Sequence, residues 1–369
     1  MKIIRLVVFF ANTLVFAQEP VKVSLLMPFC SKEIATNPNS HNAELGKLCR
    51  EYYQGMHIAL DSLNKVGDKI IFHVYDTQND SLVTLKIIQK PEFKASNLII
   101  GPVLQGGNKM LTPLCNDKKI YHVSPLMTFS KTRLNDKYWI STHPNLTSFA
   151  GILYNYIQAH FDTVQILVVS DRSSFDKHVG EGFKSLSPSS KKIIIKTVSY
   201  TPTLDVNPFL SATRHNILVI PTHNEQVANN ILYQMKDTSM YRNLTCFGFQ
   251  QWLDFKNADI ELWQSRNVIF ATTFYIDYAN PATRKFIETY REKYGTEPSE
   301  AAYKGYDQGL LFIGKRVKKG KDFMEKIADS TFHSIHTPYQ FVKQKSGAYH
   351  NNILNFIHFQ NDELKRVED

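Results

Sequence analysis

The loops that follow the apolar segments hold the side chains that could bind or react with a small molecule. GPVLQGG at 101–107 has the glycines of a phosphate-binding loop, but it lacks the Lys and Ser/Thr of a P-loop and does not match GxGxxG. Gly106 and Gly107 still leave backbone amides near the start of a predicted helix, where a ligand could meet them. The sequence therefore disfavours a nucleotide site here, and we expect no cofactor.

Catalytic patterns are also missing from the sequence. It contains no GxSxG elbow, no HExxH motif and no CxxC or His/Cys spacing typical of metal ligands. Ser173, Ser174, Asp176 and His178 lie in one short stretch, but a catalytic triad draws its members from separate elements, so turn and helix-capping roles are favoured. We predict a non-enzymatic protein with no catalytic residues and no metal site.

The elements that position these loops are predicted from alternating apolar and amphipathic segments. VKVSLLMP at 21–28 is apolar throughout, as strands buried on both faces are, and the next segment, 51–66, has the spacing of an amphipathic helix. Helices are also predicted near 206–214 and at 281–295 and 299–317. Further strands are predicted at 70–76, 97–101, 119–124, 164–171, 191–200, 216–222, 244–252 and 267–274. The pattern predicts an α/β fold with two doubly wound parallel-sheet lobes, whose ligands bind beyond the carboxyl ends of the strands.

The first residues follow the plan of a secretory signal peptide. Lys2 and Arg5 precede an apolar run too short to span a bilayer, and Ala17 ends a small-residue cleavage site, so residues 1–17 are expected to be removed. No cysteine lies near the cut, which disfavours a lipid anchor, and no later segment is long and apolar enough for a membrane span. We expect a periplasmic protein that is not inserted in the membrane.

Charge and cysteine content point to the same compartment. The net charge of +9 is spread along the chain, and its densest run, GKRVKKGK at 314–321, is typical of a solvated helix end, so nucleic-acid binding is not expected. Cys30 and Cys49 flank a polar loop and form the candidate disulfide in an oxidising compartment, whereas Cys115 and Cys246 are expected to be buried thiols.

Four segments together carry a resemblance to a known family. They are GPVLQGG, YHVSPLMT, VQILVVSDRSSFDKHVGEGFKSL and FIETYREKYGTEPSEAAYKGYDQGLLF. In this order they resemble the type I periplasmic binding proteins of the branched-chain amino-acid class, the leucine-binding-protein-like family. The last segment is the most specific, since Tyr-Gly, Pro, Ala and Gly-Tyr-Asp recur at the family's spacing. The resemblance implies two lobes joined by a three-crossover hinge, with lobe 1 at 18–142 plus 275–333 and lobe 2 at 143–274 plus 334–369.

The resemblance also implies where a ligand is held. Thr128 matches a position whose hydroxyl and amide usually hold a ligand carboxylate, and Gln105 stands where serines are usual. In the second lobe, Phe175 takes a position that is often tyrosine, and Gln250 lies near a position where an acidic residue commonly receives the ligand's ammonium. We expect the polar contacts and walls of the site to be Thr128, Gln105, His223 and Gln250, and Phe29, Leu126 and Phe175.

Three functions remain open on the sequence. The first is a solute-binding protein that closes on a small organic ligand, amino-acid-like or less charged, and serves a membrane transporter such as an ABC transporter. The second is a cell-envelope interaction protein with a vestigial cleft that regulates peptidoglycan synthesis through a cell-wall synthase, as in the branch that resembles penicillin-binding-protein activators and LysM-linked lobes. The third is an extracellular receptor lobe, suggested by Asn-x-Ser/Thr sequons at Asn79, Asn145 and Asn243.

Overall fold

The computed structural model describes residues 19–103, 105–126, 136–171, 174–187, 192–235, 243–328 and 330–367, of which 105–108, 146, 147 and 174 are described by their backbone alone. The strands are β1 Val21–Met27, β2 Ile70–Asp76, β3 Leu98–Ile100, β4 Tyr121–Ser124, β5 Trp139–Ser141, β6 Val164–Ser170, β7 Ile193–Ser199, β8 His215–Val219, β9 Leu244–Phe249, β10 Val268–Thr272, β11 Thr331–Phe332, β12 Tyr339–Lys343, β13 Tyr349–Asn351, β14 Asn355–Gln360 and β15 Glu363–Arg366. The helices are α1 Ser31–Thr36, α2 His41–Lys65, α3 Ser81–Gln89, α4 Pro91–Lys94, α5 Gln105–Lys118, α6 Leu146–His160, α7 Ser174–Ser185, α8 Glu225–Gln234, α9 Ile260–Ser265, α10 Pro281–Tyr294, α11 Glu300–Gln308, α12 Gly314–Lys319 and α13 Phe323–Ile327. A π-helical turn, Gly309–Ile313, connects α11 to α12.

These strands form two mostly parallel sheets with helices against them. Within the described residues, the first sheet has eight strands in the order β11-β12-β13-β5-β4-β3-β1-β2, and the second has seven in the order β15-β14-β10-β9-β8-β6-β7. The two-lobed α/β fold predicted from the sequence is confirmed.

The inner strands β1 and β6 are buried on both faces of their sheets because they are apolar at consecutive positions. In β1, Val23 and Leu25 belong to one core cluster, whereas Leu26 belongs to the cluster on the opposite face. In β6, Ile166 and Leu167 divide in the same way between the two clusters of the second sheet. Because side chains alternate between the faces of a strand, a continuous apolar run supplies two cores at once.

The late helix α11 packs closely on α2 beside the first sheet. A Cβ built on Gly55 would lie 2.7 Å from the carbonyl carbon of Ala302, and one built on Gly305 would lie 2.8 Å from that of Tyr52. The two glycines face the opposite helix, and their missing side chains let the two backbones approach. This contact holds α11 against the rest of the first lobe.

Two sequence predictions differ from the structure. The predicted division placed 334–369 in lobe 2, but β12 and β13 extend the first sheet, with Tyr349 beside Ile140 in a parallel pair, and only β14 and β15 join the second. The helix predicted near 206–214 is wrong. A short 3-10 turn at Asn207–Phe209 stands there instead, and the Asn216 side chain holds the following loop by accepting from Ser211 N at 2.8 Å.

Three segments of the described chain cross between the sheets. Residues 142–145 join β5 to α6, residues 273–280 join β10 to α10, and residues 352–354 join β13 to β14. β13 runs parallel to β5, and β14 runs antiparallel to β10 with Asn355 opposite Thr272, so the third crossover links the carboxyl edges of the two sheets. The carboxyl edges therefore face each other across the crossovers. No described helix has the length and apolarity needed to cross a membrane.

Candidate functional site

The candidate site is the cleft between the two carboxyl edges. Loops after β1 and β4 line its first-lobe side, and loops after β6, β8 and β9 line its second-lobe side. These are the loops in which the sequence placed the ligand contacts. Parallel α/β sheets bind ligands at this edge because the loops there converge.

On the first-lobe side, Phe29 and Leu126 are half-buried and pack against the same core cluster. The Phe29 ring meets the Tyr53 ring edge to face, with centroids 6.1 Å apart. Gln105 begins α5, but its side chain, like the whole of Thr128, lies outside the described residues. Phe29 and Leu126 thus present apolar surface where the sequence predicted walls.

The GPV segment of the glycine-bearing loop closes the end of β3. Gly101 has φ +94°, a value that favours glycine, and a Cβ there would lie within 3.0 Å of the Leu26 carbonyl carbon of β1. This glycine is required by backbone approach between neighbouring strands, which gives it a structural role independent of any bound phosphate.

The base of the cleft is fixed by a network around Pro125. Its carbonyl oxygen accepts from Gln308 Nε2 at 2.9 Å and from Thr142 Oγ1 at 3.0 Å. Gln308 Oε1 in turn accepts from Tyr52 OH at 2.7 Å. The start of the SPLMT loop, residues 124–128, is therefore held by the first crossover and α11 directly and by α2 through Gln308. It forms a preorganised floor of the cleft.

On the second-lobe side, aromatic side chains form a continuous shelf. The ring centroids of Phe175 and His223 lie 4.8 Å apart, and those of Phe175 and Phe249 lie 5.3 Å apart at a steep angle. Phe149 closes the cluster behind them, 5.6 Å from Phe175. His223 is exposed and Phe175 half-buried, so these two rings form the accessible part of the shelf.

The surroundings of the partly covered His223 ring favour its neutral form. Burial lowers the pKa of His223 below its usual value, and the nearby Asp171 carboxylate counteracts this only in part. Asp171 Oδ2 accepts from the buried Thr222 hydroxyl at 2.9 Å, and Trp252 Nε1 donates to Thr222 O at 2.8 Å. The loop that carries His223 is thus held from below by Thr222.

Gln250 follows Phe249 and is held by the second crossover. Its Oε1 accepts from Thr273 Oγ1 at 2.7 Å and from Thr273 N at 3.2 Å. The structure therefore brings together Phe175, His223 and the loop of Gln250 on one lobe, and it places Phe29 and Leu126 on the other.

A buried polar cluster at the hinge was missed by sequence reasoning. The Asp307 carboxylate accepts from the backbone N of Ile335, His336 and Thr337 at 3.1–3.3 Å. Burial raises the pKa of Asp307 to about 7, although the three N–H donors oppose the rise. Burial also lowers the pKa of His143 and of His336 well below 6.5, helped by the nearby Lys304 ammonium. The Gly-Tyr-Asp motif marked Asp307, but no local pattern indicated its partners in the 335–337 loop.

The cysteines differ from the predicted disulfide. Cys30 and Cys49 are both buried and both free in this structure, as are Cys115 and Cys246. Burial raises the pKa of the Cys49 thiol to about 12, with Cys30 and Asp76 adding to the rise. Among the described residues, no group of three or more His, Cys, Asp or Glu side chains could hold a metal ion.

Comparisons with known proteins agree with this architecture. The model of the family described as periplasmic binding protein matches residues 46–351. The fold is similar to an ABC transporter substrate-binding protein from Desulfitobacterium hafniense in complex with Leu, with a TM-score of 0.57 and 13% identity over 95% of this chain and 100% of that one. It is similar to a branched-chain amino acid ABC transporter ligand-binding protein from Burkholderia xenovorans, with a TM-score of 0.58 and 15% identity over 94% of each chain.

A third solved structure comes from a cell-envelope protein. The fold resembles full-length LpoA from Haemophilus influenzae with a TM-score of 0.63 and 13% identity, over 95% of this chain but only 59% of that one. A search of curated proteins gives no match. Because the family model spans most of the chain and both lobes, the chain belongs to the periplasmic binding protein family.

Proposed function

We propose that this chain is an exported, non-enzymatic solute-binding protein whose cleft closes on a small organic ligand. The observation that carries the proposal is the pair of facing carboxyl edges, joined by three crossovers and lined by half-buried aromatic and amide side chains. Ligand sites commonly combine apolar walls with a few polar groups that fix orientation. Membership of the family supports an extracytoplasmic role, and a membrane transporter is the expected partner.

The residues divide into walls and polar contacts. Phe29 and Leu126 form the first-lobe wall, and Phe175 forms the second-lobe wall. The polar contacts are Thr128, Gln105, His223 and Gln250. Since two hydrogen bonds hold the Pro125 carbonyl, the floor beside Leu126 is in place before a ligand arrives, and less ordering is needed on binding.

The test is thermal unfolding of the chain without residues 1–17 against amino acids, amides, sugars and peptidoglycan fragments. A ligand at about a hundred times its Kd should stabilise the native state by about 2.7 kcal/mol. The shift should disappear in Thr128→Ala and in Gln250→Ala, and it should persist in Gln251→Ala, which removes the exposed neighbouring amide. Absence of any shift across the library would count against a solute-binding cleft.

A second candidate is a cell-envelope interaction protein that contacts a cell-wall synthase and keeps only a vestigial cleft. It is favoured by two apolar side chains on α3, Leu82 and Leu85, which are 68% and 41% exposed and lie one helical turn apart. Cross-linking to a synthase that survives Gln250→Ala but is lost in Leu82→Asp would support this function. Loss of the cross-link in both variants would contradict it.

A further inference from the structure

The orientation of the Gln250 carboxamide is fixed by its partner. The backbone N–H of Thr273 can only donate, so the Gln250 atom 3.2 Å from it must be the carbonyl oxygen. The Thr273 hydroxyl lies 2.7 Å from the same oxygen and donates to it as well. The amide oxygen is therefore occupied twice, and the opposite end of the carboxamide is an NH₂ group with two donors.

Because of this orientation, the Gln250 side chain after β9 offers hydrogen-bond donors to a ligand. Gln250 is half-buried at the carboxyl edge, directly after Phe249, whose ring contacts the shelf of Phe175 and His223. The shelf itself carries no positive charge at neutral pH, because burial lowers the pKa of His223. A ligand that lies on the shelf and reaches this loop meets N–H donors, and it needs an acceptor there.

Among the described residues, Asp171 is a charged group that interacts with the shelf, and its chemistry is the alternative. Its carboxylate interacts with His223 and accepts from the Thr222 hydroxyl beneath the loop. Thr222 is fully buried, so this bond draws one carboxylate oxygen toward the interior of the lobe. A ligand ammonium that bound Asp171 would donate to a carboxylate, whereas a ligand that bound the Gln250 NH₂ group would accept from it. Binding through Asp171 and binding through Gln250 therefore predict opposite ligand preferences.

On the footing of the solute-binding function above, we propose that the second lobe selects ligands through the Gln250 NH₂ group. The ligand class is an organic acid or amide whose flat or apolar body lies against Phe175 and His223. A carbonyl, hydroxyl or carboxylate oxygen of the ligand faces Gln250, at the place where an amino acid would have its ammonium. An ammonium has donors only, so against this amide it would leave buried donors unpaired. Such a mismatch weakens binding by roughly 10- to 100-fold.

Thr273 is the positioning residue for this selectivity. Its hydroxyl supplies the shorter of the two hydrogen bonds that hold the amide oxygen. In Thr273→Val the hydroxyl is lost and only the longer hydrogen bond from the backbone N–H remains, so the orientation of the carboxamide is held less firmly. The side chain of Thr273 is half-exposed, which makes this change compatible with folding.

The experiment compares matched ligands by titration calorimetry. Phenylalanine and leucine are each tested against the corresponding 2-hydroxy, 2-oxo and N-acetyl acids, with wild type, Gln250→Glu, Thr273→Val and Gln251→Glu. Gln251 is an exposed neighbour, so Gln251→Glu makes the same change in charge away from the fixed amide. Wild type and Gln251→Glu should bind the acids without ammonium at least about tenfold more tightly than the amino acids. Gln250→Glu should reverse the preference, and Thr273→Val should reduce it.

The outcomes separate this proposal from the function on which it rests. Tighter binding of the amino acids by wild type, abolished by Asp171→Asn, would overturn the donor assignment while leaving a solute-binding cleft in place. Equal shifts in Gln250→Glu and Gln251→Glu would also overturn it, because they would show a general effect of charge. If none of the acids without ammonium bound to wild type, the proposed ligand class would be overturned. Only the absence of a thermal shift with every compound of the wider library would overturn solute binding itself.

Discussion

Adding a single methyl group at the crossing of α2 and α11 should destabilise the first lobe. Gly55→Ala would place a Cβ 2.7 Å from the carbonyl carbon of Ala302, and Gly305→Ala would place one 2.8 Å from that of Tyr52, both closer than real Cβ atoms approach other atoms. The obstructing atoms are backbone, so no side chain can rotate away, and the helices must separate by about 1 Å in a close-packed interior. Each variant therefore strains the contact that holds α11 against the first lobe.

The magnitude follows from two opposing effects. Alanine is a better helix former than glycine by about 1 kcal/mol, which stabilises the variant. Overpacking of a core costs about 1–3 kcal/mol or more, and a backbone clash lies at the upper end. We expect a net loss of about 2 kcal/mol in the free energy of unfolding, and a lower midpoint by several degrees.

Gly151 provides the matched control. It also lies inside a helix, α6, but a Cβ built there meets no atom within 4 Å. Gly151→Ala should therefore be stabilising by about 0.5–1 kcal/mol. Urea denaturation followed by circular dichroism measures all three variants. If Gly55→Ala and Gly305→Ala were as stable as Gly151→Ala, the close approach of α2 and α11 would be refuted.

Two further predictions concern buried titratable groups. Burial raises the pKa of Asp307 to about 7, so the folded protein keeps a proton on this carboxyl that the unfolded chain releases. The stability that this proton contributes is lost as pH rises from about 4 to 7. The lowered pKa values of His143 and His336 act in the opposite direction, because they reduce stability as pH falls below 6.5. Asp307→Asn removes the opposing contribution of the Asp307 proton, so the acid-side loss of unfolding free energy between about pH 4 and 7, measured by urea titration, should steepen by about 1.4 kcal/mol per pH unit; equal slopes in the two proteins would contradict this assignment. Burial also raises the pKa of Cys49 and of Cys246 to about 12, so iodoacetamide at pH 8 should label these thiols only after unfolding, and rapid labelling of the native protein would show that they are accessible.

The two sheets were predictable because their signal is local. β1 and β6 are apolar at consecutive positions, which reflects burial on both faces and can be recognised without knowing any partner strand. β13 carries a polar YHN sequence, and only its parallel pairing with β5 assigns it to the first sheet. The prediction of a helix near 206–214 was wrong for a similar reason. The loop there is held by hydrogen bonds with the Asn216 side chain, which lies outside the predicted segment.

The chemistry of the candidate site was less predictable than its place. The sequence placed Phe175, His223 and Gln250 just after strands, and the structure has Phe175 in the first turn of α7 and Gln250 at the start of a 3-10 turn. The polarity of Gln250 depends on Thr273, 23 residues later, and a carboxamide can face either way until its partner is known. The three backbone donors to Asp307 come from a loop 28 to 30 residues away. Such long-range contacts have no periodic signature.

The hydrogen bonds at the hinge indicate which part of a crossover can move. Asp307 holds the 335–337 loop on the first lobe, and His336 in that loop accepts from Tyr275 N at 3.0 Å and stacks on Phe274 with centroids 4.4 Å apart. The second crossover is thus fixed to the first lobe from Phe274 onward, and Thr272 still belongs to β10. Within this crossover, Thr273 is therefore the residue between β10 and the part held on the first lobe, and it is also the residue that orients Gln250.

Under the proposed solute-binding function, closure and ligand selection would both involve Thr273. If the lobes pivot beside Thr273, the two hydrogen bonds that orient the Gln250 carboxamide lie at the pivot. Releasing the first-lobe side in Asp307→Asn should raise the hydrogen-exchange rate of the Tyr275 amide, because its acceptor, His336 O, lies in the loop that Asp307 holds. An unchanged exchange rate at Tyr275, together with faster exchange elsewhere, would place the pivot in another crossover and separate closure from the orientation of Gln250.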